Sequence, residues 1–187
     1  MEKNHKSYQR VRLTKQLLFE ALIKLLEKKE LRKISIVELC KAAGINRSTF
    51  YLHYGSQYDV LEDMGDIFIE GMSAVYAEMK DPNERTIEKQ ISITCQYLLD
   101  HKQEANALFK YYSAESKFGQ KVMALREDMN PGYKNFIKNR DAETTDYANT
   151  FISNGVYSVV RKWLLNDSRK TPEEMGQLAV QLTQFTF

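Results

Sequence analysis

The segment SIVELCKAAGINRSTFYLHYGS, residues 35–56, places the tightest constraint on the fold. Ser35 begins a capping-box pattern with Glu38: the Ser hydroxyl can accept from the Glu38 amide, and the Glu38 carboxylate can return to the Ser35 amide. The helix so begun, SIVELCKAA, is short, because Gly44 supplies the left-handed conformation that ends a helix. Asn46 suits the cap of the next helix, so two helices lie about three residues apart in a helix-turn-helix arrangement.

In a helix that starts after Asn46, Phe50 turns inward with Ile45 and Leu39, and Cys40 offers a small side chain where the two helices cross. Arg47, Ser48, Thr49 and Tyr51 are left pointing outward. A recognition helix in the DNA major groove uses its N-terminal residues on base edges, and Arg bonds the guanine O6/N7 edge in two places. Ser and Thr add adaptable bonds or a methyl contact to thymine. Tyr51 and His53 are placed as phosphate donors, which fix register without reading sequence. The alternative is that His53 and Tyr54 simply pack the start of the next helix, an alternative weaker for His53 than for Tyr54, and both roles stay open.

The charge supports a polyanionic partner. The chain has 187 residues and a net charge of +2, but residues 1–58 carry 12 Lys and Arg against 5 Asp and Glu, and residues 59–187 carry 15 against 20. The basic part is expected to meet nucleic acid while the acidic part does something else. Few Gly and Pro, with Leu, Lys, Glu, Ala and Gln at helical spacing, imply an all-α chain. RLTKQLLFEALIKLLEKK, residues 12–29, has Leu18, Ala21, Leu22 and Leu25 on one stripe widened by Leu13, Leu17 and Leu26, and predicts an amphipathic helix. No apolar run nears the ~18 to 20 residues of a membrane span, and the N-terminus lacks a signal-peptide core, so a cytoplasmic protein is expected. Cys40 and Cys95 have neither metal-ligand nor CxxC spacing and are expected as reduced thiols in helix packing.

Residues 33–64, KISIVELCKAAGINRSTFYLHYGSQYDVLEDM, resemble the DNA-binding region of the TetR family of bacterial transcriptional regulators. The resemblance rests on Ser35, Leu39, Ala43, Gly44, Ile45, Thr49, Phe50, Tyr51, His53 and Tyr54, and INRSTFY resembles the branch common in Firmicutes. It implies an N-terminal three-helix head containing the helix-turn-helix, here residues 1–58, and a C-terminal helical ligand-binding and dimerisation domain, residues 59–187. It implies DNA contacts at Ser35, Arg47, Ser48, Thr49, Tyr51 and His53. The sequence departs from the family pattern at Gly55 and Gln57, where many members carry phosphate-binding Lys. Lys3, Lys6, Arg10, Arg12, Lys33 and Lys41 can offset that loss.

A second capping box, Ser56 to Asp59, opens a helix expected to run toward Lys80, with a break at Asp81-Pro82-Asn83. Further helices are expected in ERTIEKQISITCQYLLDHK, EANALFKYYSAES and FGQKVMALREDMNPGYKNFIK, interrupted at Asn130-Pro131-Gly132. TDYANTFISNGVYSVVRKWLLND then carries an apolar stripe too wide for one partner helix, and Thr171-Pro172-Glu173-Glu174 starts the last helix, with Met175, Leu178, Ala179, Leu182 and Phe185 on one face. The family resemblance makes these two helices a dimer interface, through Phe151, Ile152, Gly155, Val159, Trp163, Met175, Leu178 and Leu182. The bland reading of the same stripe is a monomer core.

Family members often enclose a small-molecule effector among the C-terminal helices. Phe68, Met72, Tyr76, Tyr97, Phe109, Tyr112, Phe118, Met123, Tyr133 and Tyr157 are the residues here that can line such a pocket or simply form core. With acids such as Glu70 or Asp100 nearby, an aromatic or cationic ligand is expected. No phosphate loop, HExxH, GxSxG or metal-ligand spacing occurs, so neither catalysis nor a cofactor or metal is expected. The expected function is sequence-specific regulation of transcription by a ligand-responsive repressor bound as a homodimer to an inverted repeat in double-stranded DNA. The alternative is a helical coregulator of the same fold with weak or no DNA binding of its own.

Overall fold

The amphipathic pattern of residues 12–29 is helical as far as Leu26, in a helix that begins earlier, α1 (Glu2–Leu26), in the computed structural model, which describes residues 2–79, 86–129, 141–166 and 169–184. It is followed by α2 (Ile36–Ala43), α3 (Arg47–Tyr51), α4 (Gln57–Ala77), α5 (Ile87–Asp100), α6 (Lys102–Tyr111), α7 (Lys117–Met129), α8 (Ala142–Leu165) and α9 (Pro172–Gln184). A 3₁₀ turn, Leu31–Lys33, precedes α2. The elements of the described residues are all helical, as the fold class requires. The chain divides into two compact units, Met1–Ile67 and Phe68–Phe187, with the division inside α4.

In the first unit, Leu18, Ala21, Leu22 and Ile23 of α1 are buried with Leu39, Cys40 and Ala43 of α2, and the two helices pack together. Leu31, Ile34, Phe50, Tyr54, Val60, Leu61 and Met64 are buried in the same unit. Leu13, expected on the edge of the α1 stripe, is exposed. The α2–α3 junction follows its local chemistry. Ser35 Oγ accepts from the Glu38 amide at 3.2 Å, and Gly44 ends α2 in the left-handed region at φ 67°, its amide reaching the carbonyls of Cys40 and Lys41. Two details differ from the sequence reading. The Glu38 carboxylate is held by Lys29 Nζ at 2.5 and 2.6 Å, so the charge attraction of a Lys nine residues upstream takes the group that would close the capping box. Asn46 has the extended backbone of an N-cap but makes no side-chain cap bond.

In the second unit the closest pairing is α5 with α9. It is permitted by Gly176, whose missing Cβ would lie 2.4 Å from the Glu88 carbonyl oxygen. The start of α9 is a closed capping box, with the Glu174 amide on Thr171 Oγ1 at 3.2 Å, the Thr171 amide on Glu174 Oε2 at 2.8 Å, and Pro172 at the first helical position. Asp141 caps α8 by accepting from the Thr144 amide at 2.8 Å. Arg161 Nε donates to the Phe109 carbonyl in the last turn of α6 at 2.6 Å, where a cation also meets the negative end of the helix dipole. Buried Trp163 donates its indole N–H to the Lys170 carbonyl at 2.9 Å. The expected interruptions at residues 81–83 and 130–132, and Lys80 and Phe185, lie outside the described residues; α4 ends at Ala77.

Nothing lies within 4 Å of the Cβ that Gly44 lacks, so its requirement is one of backbone conformation alone. Gly44→Ala is expected to cost about 1 to 2 kcal/mol, and Gly44→Asn to recover most of that because Asn tolerates the left-handed region. Urea unfolding midpoints of the two variants check the order.

Candidate nucleic-acid interface

Helix α3 is barely more than one turn, and Phe50 sets its orientation. The Phe50 ring has 0% of its surface exposed and meets Tyr51 edge-on at 5.5 Å and Tyr54 at 5.9 Å between ring centroids. With Phe50 inside, Arg47, Ser48 and Tyr51 are exposed, and Thr49 is half-buried. Ser35, at the start of α2, is exposed as well. Arg47 and Tyr51 are one turn apart and face each other: the guanidinium carbon is 5.9 Å from the Tyr51 ring centroid, and Nη2 is 3.5 Å from the phenol oxygen. This pairing holds the Arg47 fork in an outward orientation and reduces the rotamer freedom it would lose on meeting a partner.

His53 and Tyr54 part company. Tyr54 is buried and donates to Asp63 Oδ2 at 2.5 Å, while Lys15 Nζ lies 3.0 Å from Asp63 Oδ1 and 2.8 Å from Oδ2. Burial first, and then the Asp63 carboxylate, pushes the Tyr54 phenol well above its usual pKa. Tyr54 is thus a packing residue that joins the end of α3 to α1 and α4 within the first unit. His53 stays half-buried, its ring 6.4 Å from that of Tyr54. The Lys15–Asp63–Tyr54 group is not legible in the sequence, because its members are 48 and 9 residues apart.

The chain entering α4 is held by Asp59. Its carboxylate accepts from the Gly55 amide at 2.8 Å, the Ser56 amide at 3.1 Å and the Ser56 hydroxyl at 2.9 Å, and the Asp59 amide returns to Ser56 Oγ at 3.4 Å. The Ser56 hydroxyl and the two amides hold the Asp59 carboxyl below its ordinary value of 3.8. A Cβ at Gly55 would approach Asp59 Oδ2 to 3.2 Å, so the residue that departs from the family pattern is fitted to this box.

In the second unit the ten expected pocket residues separate. Tyr76, Phe109, Met123 and Tyr157 line a cavity of about 30 Å³ with Ile91, Thr94, Val122, Val156 and Val160. Phe68, Met72, Tyr97 and Phe118 are buried without lining it, Tyr112 stacks on Phe118 at 5.2 Å, and Tyr133 lies outside the described residues. The aromatics fill space against one another: Phe109 stacks on Tyr157 at 5.4 Å and meets Phe118 edge-on at 5.5 Å, and Phe68 meets Tyr97 at 5.0 Å. Tyr76 and Thr94 hydroxyls bond each other, and burial pushes the Tyr157 phenol up to about 12. Glu70 and Asp100, the acids expected to attract a cation, are exposed and do not line the cavity.

The eight expected interface residues also separate. Phe151 (59% exposed), Gly155 and Leu182 (42%) lie on the surface, Val159 and Leu178 are half-buried, and Ile152, Trp163 and Met175 belong to the core of this unit. Cys40 and Cys95 are free and buried, and burial pushes the Cys95 thiol up to about 12. Among the described residues no helix is long and apolar enough to cross a membrane, and no group of three His, Cys, Asp or Glu could hold a metal ion.

A model of TetR-family proteins, described as the transcriptional regulator C-terminal region, matches residues 85–185, more than half of the chain. The chain belongs to the TetR family of transcriptional regulators. Its fold is similar to that of a TetR transcriptional regulator from Streptococcus agalactiae, at 18% identity and TM-score 0.69, covering 96% of this chain and 98% of that one. It is also similar to the fatty acid degradation regulator FadR from Bacillus halodurans (19%, TM-score 0.62, 90% and 96% covered). A third likeness is to Thermus thermophilus FadR, a transcriptional repressor solved in complex with lauroyl-CoA (15%, TM-score 0.54, 91% and 93% covered). A comparison with curated proteins finds no match. This TetR-family chain is a transcriptional regulator and not an enzyme.

Because the Asp59 pKa is depressed by folding, the stability it contributes is fully present above 3.8 and is lost as the pH falls through the lower folded value. Asp59→Asn is therefore expected to unfold at lower urea than the parent at neutral pH, with the difference shrinking below pH 3.8. A urea midpoint that differs by the same amount at pH 7 and pH 3 would contradict this.

Proposed function

We propose that this TetR-family regulator is a repressor that binds an inverted-repeat operator as a homodimer and releases it on binding a small effector. The observation that carries the reading is the division of α3: Phe50 fully inside, and Arg47, Ser48 and Tyr51 outside, within the first 58 residues, which carry the excess of basic residues. In the reading, Arg47 meets a guanine edge, Ser48 and Thr49 bond neighbouring bases, and Ser35, Tyr51 and His53 hold phosphates. The cytoplasm is its place of action, where the DNA is.

The second copy docks on α8 and α9. Phe151 and Gly155 are one turn apart on an exposed face of α8, nothing lies within 4 Å of the absent Gly155 Cβ, and Leu182 is exposed on α9. A two-fold axis through such a face pairs it with itself, and two reading helices then lie about 34 Å apart, one turn of DNA. Ile152, Trp163 and Met175 act from beneath, holding that face in shape.

The effector site is the cavity among Tyr76, Phe109, Met123 and Tyr157. Its walls carry hydroxyls and apolar groups and no carboxylate, which, of the aromatic or cationic ligand expected from sequence, favours the uncharged, largely apolar kind. The lauroyl-CoA held by Thermus FadR supports an apolar body for the ligand. At about 30 Å³ the cavity is far below the hundreds of Å³ of a drug-sized site, so binding must displace the packed aromatics and Met123. A ligand that fits only the displaced arrangement shifts the population away from the one that binds DNA.

Selection from a random duplex library at two salt concentrations tests the reading. Arg47→Ala is expected to cost about 1 to 3 kcal/mol for each bidentate guanine pairing it removes and to relax specificity at one base pair of each half-site. Equal binding of all sequences before and after the substitution would remove Arg47 from the reading role. Phe151→Glu places a charge on the proposed two-fold contact, and sedimentation equilibrium is expected to show at least a tenfold weaker dimer, about 1.4 kcal/mol, without loss of helical content.

A further inference from the structure

The geometry points to Leu52 as a specificity-determining residue that contacts a thymine 5-methyl group. The inference rests on the DNA-reading role proposed for α3 and adds a contact which neither the sequence motif nor the family resemblance supplies.

Leu52 follows the last residue of α3 with φ −72° and ψ −20°, so the helical projection still applies to it. Successive residues turn by about 100°, which places Ser48 and Leu52 about 160° and 200° from Phe50. Phe50 is fully buried, so the line from Ser48 to Leu52 is the outermost edge of the helix. The Arg47–Tyr51 pair lies on one flank and Thr49 and His53 on the other. Leu52 is accordingly 79% exposed, the highest value among the exposed large apolar side chains of the described residues.

The backbone on either side of it is tied down by hydrogen bonds. The amides of His53 and Tyr54 both donate to the Phe50 carbonyl, at 2.9 and 3.0 Å, and Tyr54 is anchored through Asp63. An isolated apolar side chain on a surface is ordinary. This one is held at the crest of the reading helix, between an Arg–Tyr pair and a His, where a polar side chain would be the default for solubility. The major-groove edge of DNA carries one apolar group, the thymine 5-methyl, and a Leu side chain matches it by removing both from water.

Uracil in place of thymine deletes that methyl and leaves base pairing unchanged, so it isolates the contact. From the best duplex selected by the parent protein, each thymine is replaced singly by uracil, and the affinities of parent and Leu52→Ala are measured. One thymine in each half-site is expected to weaken the parent about fourfold on replacement, the worth of about one buried methyl group. The same replacement is expected to leave Leu52→Ala affinity nearly unchanged. Because Leu52 is exposed, the variant is expected to keep the parent's thermal midpoint. If the parent tolerates uracil at every position, or if Leu52→Ala is as sensitive as the parent, the assignment is wrong while the role of α3 stands. If the parent selects no duplex, the role of α3 falls, and the assignment with it.

Discussion

The burial of one aromatic ring governs the helix-turn-helix of the first unit. Helix α3 is too short to be stable by its own hydrogen bonds, since an isolated helix of fewer than about 12 residues is marginal in water. Tertiary packing must hold it, and Phe50, without exposed surface, is its only buried side chain. Truncating a ring buried to that degree costs about 3 to 5 kcal/mol in general, a large part of the stability of a small unit. The side chains on the remaining arc of α3 are turned outward as a consequence of where that ring goes.

The polar contacts around α3 act on its ends. Gly44 and Ser35 set where α2 stops and starts, the Ser56–Asp59 box sets where α4 starts, and Tyr54 on Asp63 sets where the chain leaves α3. Asp63 is an acid in a basic unit, and its two oxygens are shared between the Tyr54 hydroxyl and Lys15. It therefore lowers the positive field slightly while fixing geometry, a trade consistent with a unit whose task is to place a few side chains accurately. Gly55 works in the same direction, because the Cβ it lacks would approach the Asp59 carboxylate to 3.2 Å.

In the second unit, space filling decides the chemistry. Phe109, Phe118, Tyr112 and Tyr157 pack on one another, and a cavity of about 30 Å³ lies beside Phe109 and Tyr157. Aromatic residues at helical spacing read alike whether they enclose a ligand or a core, since both need apolar faces. The apolar stripe of α8 is divided for a similar reason: Ile152, Val156, Val160 and Trp163 go inward, and Phe151 is left outside. Neighbouring residues on a helix differ by about 100°, so the same wide stripe serves two directions, and only the positions of the other helices assign each residue to one.

What the sequence determined by itself is what residues three or four apart can settle between them. The start and stop of α2, the boxes that open α4 and α9, the three-residue turn and the inward course of Phe50 were all legible, because caps, left-handed Gly and helical periodicity act over one turn of chain. What only the tertiary structure decided depends on groups far apart in sequence. Lys29 takes Glu38 from its capping box, Lys15 and Tyr54 meet on Asp63, and the acids expected beside a ligand face outward. A side chain's partner across the fold is chosen by packing and charge among all the helices at once, and no short stretch of sequence carries that information.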